Sequence, residues 1–256
     1  VSERWELLGT HVDALSAPEL LDCFADAVVE HRRLVVLNHN LHSLALYQRD
    51  PEFRELYRRA ELVFIDGMAV VGMLRVQGRP VRRQARLAVL DWVWPLFELA
   101  GERRWNVVHV GSEEPVISRA REAILERVPG LRLTTLAGFF DARPGSPESE
   151  GVLRAVAAAR PDLLMVGMGM PRQERWILQS WEELPNCPVV TVGGVLGFLG
   201  GERPAAPRFL GQLGLEWLFR LLSEPGRLWR RYLLEPWALV PPMVREVMAT
   251  KPDRRP

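Results

Sequence analysis

Six short apolar runs, rich in valine, leucine and isoleucine, recur with longer segments of helical period between them, and this alternation constrains the fold more than any other feature. The runs are Leu34 to Leu37, Leu62 to Ile65, Val107 to Val110, Leu131 to Thr135, Leu163 to Val166 and Val189 to Val192. Strands that are apolar on both faces and separated by helices form a parallel sheet covered on both sides. The expected fold is therefore α/β: a Rossmann-like, mostly parallel sheet with flanking helices. Five runs end in polar or glycine-rich residues: NHN, DG, GS, GMG and GG. Ligands of open parallel sheets bind beyond the carboxyl ends of the strands, so these endings are the expected place of chemistry.

The intervening helices have local signals. One is expected over Pro18 to His31 with Ser16 placed to cap it, a second over Glu113 to Arg127 after Ser112, and a third over Ser149 to Arg160 ahead of Pro161. After Gly201 the pattern changes. Pro204, Pro207, Pro225, Pro236, Pro241 and Pro242 punctuate short helical patterns, which predicts a helical appendage rather than more sheet. The organisation expected is an α/β catalytic core over 1–202, a basic amphipathic helical appendage over 203–248 and a disordered tail over 249–256.

Composition excludes several classes. A chain of 256 residues with 48% hydrophobic and 25% charged residues is neither disordered nor collagenous. Its longest charge-free stretch, Leu184 to Gly201, holds two prolines and five glycines and falls short of a spanning helix. The first residues, VSERWELLGTHVDALS, alternate charged and apolar side chains and lack the apolar run of a signal peptide, so a cytoplasmic location is expected. Cys23 and Cys187 form neither a CxxC pair nor a disulfide framework. Thirty-two of the 33 basic residues are arginine; their scatter over the whole chain fits GC-rich coding, with selection for phosphate-binding forks as the other reading. The net charge of +1 hides an asymmetry: residues 1–202 carry 23 basic and 27 acidic side chains, residues 203–256 carry 10 and 5. Nucleic acid is a poor partner for so acidic a body without a binding motif.

Asp66 closes LVFID at a strand end, where a general base would be mounted; the same position also suits a cap of the helix MAVVGMLRV after Gly67. Asn38 and Asn40 follow the first run and can bind a sugar or base edge, while His39 and His42 make an HxxH pair that is a weak metal signal without acidic or cysteine partners. VGMGMPRQERW is not a dinucleotide fingerprint, because Arg172 stands where GxGxxG needs glycine. Pro171 suits the first turn of a helix whose amides would face an anion beside Arg172 and Gln173. Arg220, Arg227, Arg230 and Arg231 fall within about 100° on a helical wheel, opposite Leu218, Leu221, Leu222, Leu228, Trp229 and Leu233. That face is either solvated or a surface for diphosphates or anionic lipid.

IDGMAVV, VGMGMPRQERWI, VGGVLGFLGGERPAAP and GLEWLFRLLSEPGRLWRRY together resemble the WecG/TagA/CpsF family of bacterial glycosyltransferases, family 26, over about Leu34 to Tyr232. The resemblance implies inverting transfer from a UDP-sugar, without a required metal or other cofactor, to an undecaprenyl-diphosphate-linked saccharide at the inner face of the plasma membrane. It makes Asp66 the catalytic aspartate, with Arg86 and Gln173 as further catalytic residues. Arg86 precedes Asp91 by five positions as in the family, with Val89 where the family has glycine, and Arg83 competes for its role. Asn38, Asn40, Gly67, Gly111, Gly169, Pro171, Glu174, Gly193 and Gly194 would bind substrate. Arg220, Arg227, Arg230 and Arg231 would hold the acceptor diphosphate or an anionic membrane surface. Val36 replaces a family threonine, and RLAVLDW is closer to the exopolysaccharide branch than to the teichoic-acid branch. A non-catalytic nucleotide-sugar sensor and a nicotinamide-dependent oxidoreductase are the alternatives, and a homo-oligomer remains open.

Overall fold

The computed structural model describes residues 3–207, 210 and 214–250; the side chains of Arg227 and Thr250 lie outside what is described, as do residues 251–256 of the expected tail. Eight strands form one sheet: β1 (Glu3–Leu7), β2 (Thr10–Ala14), β3 (Leu34–His39), β4 (Leu62–Ile65), β5 (Asn106–Gly111), β6 (Arg132–Leu136), β7 (Leu163–Gly167) and β8 (Pro188–Thr191), in the order β1-β2-β4-β3-β8-β7-β5-β6. All neighbours are parallel except β1 and β2. The six expected runs are all strands of this parallel sheet, and the α/β architecture is as read from the sequence.

The helices are α1 (Ala17–Val29), α2 (Leu41–Arg49), α3 (Pro51–Arg59), α4 (Met68–Val76), α5 (Val89–Arg103), α6 (Val116–Arg127), α7 (Pro147–Ala159), α8 (Arg172–Gln179), α9 (Val195–Leu199), α10 (Glu216–Ser223), α11 (Pro225–Trp229) and α12 (Glu235–Thr250), with a π turn at Arg230–Leu234 joining the last two. Ser16 does cap α1, in a reciprocal pair with Glu19. The cap of α7 is Ser146, three residues before the expected start, with Pro147 at the first helical position. The start of α6 is later than expected, with Pro115 at its cap.

Pleating divides each buried strand between two cores. Val36, Met165 and Val190 face a core with Phe24, Trp92, Leu96 and Ile124, whereas Val35, Leu37, Leu164 and Val166 face one with Phe53, Tyr57, Trp176 and Ile177. This double burial is why the runs read as continuous apolar stretches.

The N-terminal hairpin went unread. The alternation over Glu3 to Ala14 that argues against export is also a strand pattern, and its two-residue turn places Leu8 and Gly9 at φ 52 and 77. It supports a third core, of Leu7, Val12, Ile65, Val70 and Leu74, which Leu239 of α12 completes at 3% exposure.

The appendage departs from the expectation of short helices ending at 248 with a disordered tail from 249. Pro241 and Pro242 lie inside a 16-residue helix, α12, that runs through Ala249 and Thr250. Its Glu246 carboxylate accepts the Leu8 amide at 3.0 and 2.8 Å, so it clamps the hairpin turn. Arg220, Arg230 and Arg231 do not share one face either, since Arg220 and Arg231 line a cleft at the strand ends and Arg230 is exposed. A wheel of uniform pitch fails across Glu224–Pro225 and across the π turn, both of which shift the helical phase.

Candidate active site

All five polar or glycine-rich strand endings meet in one cleft of about 320 Å³. Asn38 and Asn40 come from the end of β3, Asp66 from β4, Ser112 from β5, Gly167 to Met170 from β7, and Thr191 to Gly194 from β8. The cleft lies beyond the carboxyl ends of five neighbouring parallel strands, β4, β3, β8, β7 and β5, where ligands of open parallel sheets bind.

Asp66 is its central carboxylate. Oδ2 accepts Asn40 Nδ2 at 2.9 Å and Asn38 Nδ2 at 3.3 Å. Among the described residues no donor reaches Oδ1. The helix-cap reading of Asp66 is not the observed one: Gly67 occupies the cap position of α4 and no side chain caps that helix. The asparagines are themselves held. Asn40 caps α2 through Oδ1 on the His42 and Ser43 amides, and Tyr57 donates to Asn38 O at 2.7 Å. His39 stacks on Tyr57 and bonds Thr10 and Ser43; burial pushes its imidazole down to about 3, so it stays neutral. His42 turns away to Glu235 at 2.5 Å, and burial, aided by Arg231, keeps it below its ordinary value against the pull of Glu235. The HxxH histidines thus point to separate partners.

Gln173 lines the cleft, yet both ends of its amide are engaged: Oε1 accepts the Gly169 amide at 3.0 Å and Nε2 donates to Glu174 Oε1 at 2.7 Å. Glu174 is fully buried behind it, outside the lining, with Oε2 unpartnered among the described residues; burial raises it to about 7, against the Gln173 hydrogen bond. Arg172, beside them, bonds the Gly138 and Phe140 carbonyls and so holds the loop that puts Phe139, 72% exposed, on the rim.

Arg86 sits beside Ile65 in an isolated parallel bridge, one residue from Asp66, but outside the lining. Its guanidinium bonds Glu216 at 3.0 Å and lies 3.6 Å from Asp91, so two carboxylates already balance it. Glu216, which does line the cleft, is raised by burial and lowered by Arg86. Arg83 is exposed on a 3-10 turn.

Gly169, Gly193 and Gly194 line the cleft, while Gly67, Gly111 and Pro171 do not. Gly111 has a packing reason, since a Cβ there would lie 2.5 Å from Gly167 O. From the appendage, Arg220 and Arg231 reach back into the cleft, Arg231 to within 3.4 Å of Asn40 Oδ1. Arg230 is exposed over the Trp229 ring, and the side chain of Arg227 lies outside the described residues. Sequence reading missed Phe139, Glu202 and Arg203, which also line the cleft.

The family model described as the glycosyl transferase WecG/TagA/CpsF family matches residues 5–253. A relative from Bacillus spizizenii, named N-acetylglucosaminyldiphosphoundecaprenol N-acetyl-beta-D-mannosaminyltransferase, is 29% identical over 204 residues, covering 80% of this chain and 76% of its own. One of the same name from Staphylococcus aureus is 25% identical over 213 residues, covering 79% and 81%. The cleft at the strand ends and a family match over nearly the whole length lead to one assignment: the chain belongs to the WecG/TagA/CpsF family and is a glycosyltransferase.

Proposed function

We propose that this enzyme transfers a sugar from a UDP-sugar, with inversion, to an undecaprenyl-diphosphate-linked saccharide in cell-surface polysaccharide assembly. The observation that carries the reading is Asp66, whose Oδ2 is fixed by two asparagines while Oδ1 has no donor among the described residues. A carboxylate held this way can take the acceptor hydroxyl proton as that oxygen attacks the anomeric carbon from the face opposite the leaving diphosphate. The relatives' names support a lipid-diphosphate acceptor. The guanidinium groups that line the cleft supply positive charge for two diphosphates, so the proposal needs no metal.

The enzyme would work from the inner membrane surface. Among the described residues no helix is long and apolar enough to cross a bilayer, yet Leu222, Trp237 and Met248 of the appendage are 74%, 72% and 70% exposed. Turnover of a panel of UDP-sugars, UDP-N-acetylmannosamine included, with a synthetic lipid-diphosphate acceptor tests the proposal. Product should form in EDTA. Asp66→Asn should lower kcat by roughly 10² to 10⁴ with UDP affinity little changed, because loss of a general base acts on the chemical step. Wild-type-like turnover by the variant would remove Asp66 as base, and UDP binding without turnover of any donor would favour a sensor.

A further inference from the structure

Arg203 is the cleft-lining arginine that belongs to the core. Its amide donates to Gly197 O at 2.9 Å, which ties it to α9 rather than to the appendage helices that supply Arg220 and Arg231. Its guanidinium lies against the loop that ends β8: a Cβ on Gly194 would stand 2.7 Å from Nη1, and a Cβ on Gly197 would stand 3.3 Å from Cδ and 3.4 Å from Nε. Gly194 is not held in the left-handed region that favours glycine, since its φ is −81°. The lack of a side chain there has a steric meaning, which is to let the guanidinium lie on the backbone at the cleft wall. Arg203 also makes no ion pair or side-chain hydrogen bond with a described residue. Arg86, by contrast, is balanced by Glu216 and Asp91.

We propose that Arg203 binds the terminal phosphate of the nucleoside-diphosphate donor, with Gly194 as the clearance that admits its guanidinium; this rests on the UDP-sugar reading above. In the reaction the acceptor oxygen forms a bond to the anomeric carbon and the bond from that carbon to the β-phosphate oxygen breaks. The electron pair stays on the phosphate oxygen and the acceptor proton passes to Asp66. Arg203 transfers no proton. It holds the charge that grows on the departing phosphate through a planar fork suited to phosphate oxygens. The acceptor's diphosphate is the other source of the same chemistry. Arg220 and Arg231 are better placed for it, since they come from the helices that carry the exposed apolar side chains.

Equilibrium binding of UDP and of UMP to the purified full chain, without acceptor, tests the assignment. Arg203→Ala should weaken UDP by about tenfold or more while UMP changes far less, collapsing the preference for the second phosphate. Gly194→Ala should do the same, because the clash falls on the flexible end of Arg203 and displaces it. The double variant should be no weaker than Arg203→Ala alone, and thermal melts should show all three folded. Equal UDP affinity in wild type and Arg203→Ala overturns the proposal, as does a Gly194→Ala effect that persists undiminished in the Arg203→Ala background. A raised KM for the lipid acceptor with UDP binding unchanged would move Arg203 to the acceptor diphosphate and overturn the donor assignment. Failure of the wild type to bind UDP at all is a different outcome: it would sink the donor reading itself.

Discussion

At the scale of single residues, the site sets Asp66, open at Oδ1, near a buried glutamate whose ionisation burial disfavours. Glu174 has its ordinary value of 4.5 in the unfolded chain and about 7 in the fold, because burial disfavours its ionised form. Between those values the folded chain binds more protons than the unfolded one, so stability falls as pH rises from about 4.5 through 7. Thermal melts should show that decline, and Glu174→Gln should flatten it; an unchanged pH profile would mean that Glu174 is ionised in the fold. Asp66, Asn38, Asn40 and Gln173 were legible because each stands at the end of an apolar run or in the motif that follows one. What each does with its hydrogen bonds was not. The engagement of Gln173 by Gly169 and Glu174 is a matter of local geometry, and the balance of Arg86 by Glu216 spans 130 residues. Arg203 was counted only as part of a basic segment, since its place depends on how the chain turns back after the last strand.

Among elements, the parallel strands were read directly because burial on both faces leaves short runs rich in valine, leucine and isoleucine, bounded by glycine and polar residues and too short for helices. The hairpin was not, because a half-exposed strand alternates and the same alternation serves other arguments. The last helix was misread for a different reason. Proline carries a strong local signal against helix, yet α12 is held from outside by Leu239 in the third core, Glu235 against His42 and Arg49, and Glu246 on the Leu8 amide. Tertiary contacts override propensity where they are this numerous. The appendage is therefore a docked part of the fold as well as a carrier of exposed apolar groups. Leu239→Ala should cost about 2 to 5 kcal/mol in denaturant unfolding, the usual range for a buried leucine. A loss of only a few tenths would show that α12 does not dock on the hairpin in solution.

For the whole molecule, the distribution of apolar surface is the feature that sequence anticipated in kind but not in arrangement. Eleven of the fourteen exposed large apolar side chains among the described residues lie between Leu215 and Met248, a stretch with five arginines and four glutamates inside the basic 203–256 region. Arg220 and Arg231 turn inward to the cleft, so the charge left for headgroups includes Arg230 and Arg245, both exposed. Replacing all the appendage arginines would damage cleft and membrane contact together and could not tell them apart. Leu222, Trp237 and Met248 lie outside the cleft lining, which makes their joint change to serine the cleaner test. Apolar burial at the bilayer and screened attraction to anionic headgroups act in series, so attachment of the wild type should weaken as salt is added. The triple serine variant should co-sediment poorly with anionic vesicles at any salt while its melting temperature stays close to wild type, since none of the three side chains is buried. Its turnover should fall with a vesicle-bound acceptor and hold with a short-chain, water-soluble one. Unchanged co-sedimentation would remove this face as the point of attachment, and loss of activity toward both acceptors would make the three residues part of the catalytic fold instead.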